Sequence, residues 1–112
     1  MRWEIIIVHQ ALQQTITTIQ VVDGLLIQAQ QAGELPEDKA RELIENLEQA
    51  KKIVQNEKKP PKAPVIEKLQ RVFDVIDDML DTFNESKHPA ALLIKALPIA
   101  ALLIKLAAQI FP

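Results

Sequence analysis

Residues 90–112 read AALLIKALPIAALLIKLAAQIFP, with the hexamer AALLIK at 90–95 and again at 100–105 and Pro98 between the copies. At the helical spacing, Ala91, Lys95, Pro98, Leu102, Lys105 and Gln109 fall on one line, at intervals of four, three, four, three and four. Both lysines and the proline therefore share a stripe about 80° wide, and the rest of the circumference is Leu, Ile, Ala and Phe. A bundle helix needs an apolar arc of only a little over about 100°. The excess has to be covered by three other helices wrapping this one centrally, by another subunit, by a further domain, or by lipid.

The rest of the chain supplies helices for it to pack against. Residues 4–32 carry Ile5, Val8, Leu12, Thr15, Ile19, Val22, Leu26 and Ala29 at alternating three- and four-residue spacing, and Gly33 stands where a helix-ending glycine belongs. Opposite this seam lie Gln10, Gln14, Thr17, Gly24, Gln28 and Gln31. Such a face is polar yet uncharged, which suits either water or another copy of the chain. A second helix over 36–57 opens on Pro36, Glu37 and Asp38, as the positive end of a helix dipole favours, and has the stripe Ala40, Leu43, Leu47, Ala50 and Val54. The short GELP turn makes these two an antiparallel hairpin. KKPPKAP at 58–64 reads as an extended connector, because three prolines resist helix. A third helix over 65–85 has the stripe Ile66, Leu69, Phe73, Ile76, Leu80 and Phe83, backed by Asp74, Asp77, Asp78 and Asp81. The fourth covers 90–111. The expected architecture is all-α: one four-helix bundle over residues 1–112, built of two antiparallel hairpins joined by the proline-rich linker.

Composition agrees. Two glycines and no tyrosine in 112 residues leave little for tight turns or strands. The absence of cysteine removes disulfides and thiolate metal sites, and a net charge of −2 argues against a general nucleic-acid binder. MRWEIIIVHQ turns polar too soon for a secretory leader, so cytoplasmic synthesis is expected.

Chemistry-bearing patterns are few. Asp77-Asp78-Met79-Leu80-Asp81 matches DDxxD, whose carboxylates can converge on a hard cation. Enzymes using it need a second acidic helix and a deep cavity, and neither is legible here. His9 and His88 lie in distant segments without companion ligands, and Ser86 is the only serine. No catalytic residue, cofactor, metal site or small-molecule substrate is expected, so the chain reads as a non-enzyme. Trp3 suits an end-plug of the core.

Crossing a bilayer is a closer contest. Eleven Leu, Ile and Phe residues over 90–111 contribute about −5 kcal/mol, and two lysines nearly cancel that. One copy is a poor constitutive anchor and a plausible conditional one.

Four helices over 4–111 ending in AALLIKALPIAALLIKLAAQIF resemble, in layout, the helical-bundle effector domains of regulated cell death. Those include the fungal HeLo domains, the bacterial Bell-type domains and the four-helix domain of necroptosis pseudokinases. The resemblance implies a bundle kept soluble until oligomerisation exposes its apolar helix to a membrane. On that reading Leu92, Leu93, Ile94, Lys95, Leu102, Leu103, Ile104, Lys105 and Phe111 are the contact residues, with the lysines at anionic headgroups. The competing reading is an adaptor or oligomerisation bundle that never meets lipid. It would use Gln10, Gln14, Thr17 and Gln28, or the acidic face of the third helix.

Overall fold

A computed structural model describes residues 2–56, 62–86 and 90–110, with side chains described over 10, 12–56, 63–82 and 90–109. Expectations placed on Trp3, His9, Phe83, His88 and Phe111 fall outside the described side chains. Four helices result: α1 (Arg2–Gln31), α2 (Glu37–Asn56), α3 (Lys62–Ser86) and α4 (Ala91–Ile110). They form a rod of 53 × 20 × 20 Å, as a 30-residue helix rising about 1.5 Å per residue requires.

Each helix packs on two neighbours: α1 on α2 and α4, and α3 on α2 and α4. The diagonals α1–α3 and α2–α4 make no close approach among the described residues. This corrects one expectation. α4 is not a central helix wrapped by three others; it stands at a corner of the square, like the rest.

The α1 end follows from Gly33, whose φ of 78° is open to glycine at little cost. The Glu34 N–H donates to the Ala29 carbonyl at 2.8 Å, and the Gly33 N–H to that of Gln30 at 3.1 Å. This pair of bonds is a Schellman ending, which satisfies carbonyls that the last turn would leave bare. Among the described side chains, the α1 seam is buried as its spacing requires: Thr15, Ile19, Val22, Leu26 and Ala29 are shielded and Leu12 is half-buried, while Ile5 and Val8 lie outside the described side chains. In α2 the buried set is the expected stripe, Ala40, Leu43, Leu47, Ala50 and Val54.

α3 departs from its sequence reading twice. It begins at Lys62, so Ala63 and Pro64 of the expected connector lie in its first turn, where a missing N–H costs nothing. The remainder of that connector, 58–61, lies outside the described residues. Its buried face is also broader than one stripe. Val65, Val72 and Val75 join Leu69, Ile76 and Leu80, while Ile66 and Phe73 are only partly buried. A helix wedged between two neighbours buries an arc rather than a line.

Across the α2–α3 seam, Arg71 Nη2 meets Glu42 Oε1 at 2.6 Å and Lys68 donates to Gln49. Residue numbers rise along one helix as they fall along the other, so the pair is antiparallel.

The two glycines predict opposite outcomes. Gly33→Ala is expected to lower stability by about 1 kcal/mol, because alanine must adopt the left-handed backbone. Gly24→Ala, mid-helix with open space around its Cα, is expected to raise it by up to about 1 kcal/mol. Urea denaturation of the two variants checks both signs.

Candidate membrane-contact face

α4 runs unbroken through Pro98, which is exposed. A proline offers no N–H to the carbonyl four residues before it, here that of Ile94. Ile94 is itself on the outside, 56% exposed, so the gap in the helical hydrogen-bond ladder falls on the water-facing side. All six residues of the line read from the sequence, Ala91, Lys95, Pro98, Leu102, Lys105 and Gln109, are exposed.

The opposite side of α4 is unusual in its side-chain sizes. Four of the six buried positions are alanine (Ala90, Ala96, Ala100 and Ala107), and only Leu93 and Leu103 are large. Leu92, Leu97, Ile99 and Ile104 are partly buried against the core, and Ile94 and Leu102 lie outside it. Only 28% of the window Ala91–Gln109 is buried, although that segment is long and apolar enough to cross a bilayer. The lysine stripe is therefore not the sole exposed edge; apolar side chains share it. Of the expected contact residues, Ile94, Lys95, Leu102 and Lys105 are exposed, and Leu92 and Ile104 are half-buried. Leu93 and Leu103 are core residues, at 0% and 1% exposure, and stand apart from the surface set.

On α1, Gln10, Gln14, Thr17 and Gln28 are exposed as expected. Val21 lies on the same line and is 46% exposed, and Ile27 nearby is 43% exposed. The sequence reading had left Val21 out, although its spacing from Thr17 and Gly24 continues the line without a gap. Together with Ile94 and Leu102, these are the large exposed apolar side chains of the described residues, and all four lie on α1 and α4.

α2 and α3 are the reverse. The ion pairs found among the described residues, Lys39–Glu42, Arg41–Glu37 and Arg71–Glu42, all belong to them. Asp74, Asp77, Asp78 and Asp81 are exposed on α3. No three carboxylates or histidines among the described residues converge as metal ligands.

Two carboxylates couple the hairpins to each other and within themselves. The start of α4 has Ala90 in the capping position, whose side chain cannot accept a hydrogen bond. Glu34, held beside it by the Schellman turn, accepts from the N–H groups of Leu92 and Leu93 at 3.0 and 3.3 Å. The cap thus comes from 58 residues away in the chain. At the α1–α2 seam, Asp23 is half-buried and its Oδ1 has no hydrogen-bond partner. Burial, reinforced by the neighbouring Glu48 and opposed by Lys51, pushes its carboxyl up to about 7.

Comparison of the chain with protein-family models, with curated proteins and with solved structures gives no match.

Two outcomes follow from these carboxylates. Glu34→Ala should cost about 1 kcal/mol, the usual value of a lost cap, and should speed hydrogen exchange at the Leu92 and Leu93 amides. For Asp23, the unfolded chain releases its proton near 3.8 while the folded chain holds it to about 7. Stability should therefore fall as pH rises through that window, by an amount on the order of a few kcal/mol. Asp23→Asn should flatten this part of the profile in thermal melts taken at stepwise pH.

Proposed function

We propose that the chain is a non-enzymatic bundle whose fourth helix engages and perturbs membranes when conditions favour it. The observation that carries the reading is the packing of α4: four of its six buried positions are alanine, while Ile94 and Leu102 lie outside beside Lys95 and Lys105. A helix that places two large apolar side chains and its cations on one outer arc suits the boundary between headgroups and acyl chains. A role in regulated cell death or defence is consistent with the layout that the chain shares with those effector domains. The working compartment is the cytoplasm, with membrane recruitment as the triggered step.

A protein–protein adaptor with no membrane role is the second reading. It is favoured by the uncharged outer line of α1, where Gln10, Gln14, Thr17 and Gln28 are exposed. A charge introduced at Gln14 should dissolve a defined oligomer seen by light scattering in plain buffer if that reading is correct.

Dye release from vesicles containing phosphatidylserine tests the membrane reading. Wild-type chain should release dye, and the double variant Ile94→Glu and Leu102→Glu should not. Because both positions are already exposed, the variant should keep its stability within about 1 kcal/mol. Leu103→Glu, by contrast, buries a charge in the core and should unfold the bundle. Absence of release from wild-type chain at every lipid composition overturns the proposal.

A further inference from the structure

We infer that the membrane contact is made by α1 and α4 together, with the bundle intact and its long axis along an anionic lipid surface. The inference rests on the membrane reading of α4 and extends it to a second helix. α1 packs directly on α4, so their outer faces adjoin. Val21 on one, and Ile94 and Leu102 on the other, place apolar side chains along both, whereas Ile27, one turn beyond Asp23, lies on the α2 side of α1.

Charge selects the occupant. From Gln10 to Gln31 the only charged residue of α1 is Asp23, which is turned toward Glu48 and Lys51 of α2. α4 carries Lys95 and Lys105 and no acid. Glu34, at the end of this face, is engaged in capping α4. Exposed acids sit instead on α2 and α3, including Asp74, Asp77, Asp78 and Asp81. The molecule therefore has one side that is apolar and cationic and another, on α2 and α3, where bases such as Arg41, Lys52 and Arg71 are outnumbered by acids. Pairing this face with its equivalent on a second copy would oppose lysine to lysine with no carboxylate to compensate. Anionic headgroups match the lysines directly, and glutamine side chains can hydrogen-bond among them. Nothing in this contact requires α4 to leave the bundle, which separates it from release and insertion of that helix.

The absence of cysteine makes the test clean, because each added cysteine is the sole labelling site. Environment-sensitive fluorophores are placed at four exposed positions, one per helix: Gln14→Cys, Lys52→Cys, Asp77→Cys and Ala108→Cys. Each is mixed with phosphatidylcholine vesicles with and without phosphatidylserine. The expected result is a blue shift and brightening at Gln14 and Ala108, none at Lys52 or Asp77, and only with phosphatidylserine. Lys95→Gln and Lys105→Gln should each weaken binding on the order of five-fold. A response at Ala108 alone overturns the two-helix face and leaves the α4 reading standing. A response at all four labels shows the bundle opening on lipid and overturns intact docking. A concentration-dependent response at Gln14 without vesicles gives the face to a second copy. Silence at all four overturns both readings.

Discussion

The bundle depends on how small the side chains are that α4 contributes to its core. Alanine at 90, 96, 100 and 107 brings the helix close to α1 and α3, and Leu93 and Leu103 supply its two large core side chains. Leu92, Leu97, Ile99 and Ile104 are set on the flanks, and Ile94 and Leu102 on the outer surface. In an ordinary amphipathic helix the hydrophobic effect draws the largest apolar groups inward. Here α4 satisfies the core with small residues and retains its larger apolar area at the rim.

That arrangement places a burden on the ends. A helix whose buried side chains are mostly alanine removes less apolar area from water at each position, so its N-terminus gains weight. Gly33 allows the chain to reverse after α1, and the reversal puts Glu34 where its carboxylate reaches two free amides of α4. The negative charge also complements the positive end of that helix's dipole. One turn thereby ties the first connection to the last helix, closing the square at the α1–α4 edge.

Much of this was legible in the sequence, for a simple reason. Helix periodicity is a property of local spacing, so the α1 seam, the α2 stripe and the exposed line of α4 could be read directly. Features that depend on the mutual placement of helices could not. Leu102 already belonged to that exposed line, but only the neighbours of α4 decide that Ile94 is left outside while Leu93 and Leu103 are covered. The Glu34 cap joins residues 58 apart, and no local pattern announces it. Asp23 meets Glu48 only once α2 folds back on α1. Pro64 was misread because three prolines were weighed as a unit, whereas the last of them fits the opening turn of a helix.

Pro98 has one more effect, on how deep α4 can travel. In hydrocarbon every backbone acceptor needs a partner from protein, and a solitary helix has none to offer the Ile94 carbonyl. At the headgroup layer water supplies one freely. On the membrane reading proposed above, the ring would set a depth limit on the segment, favouring a helix that lies at the lipid boundary over one that threads through it.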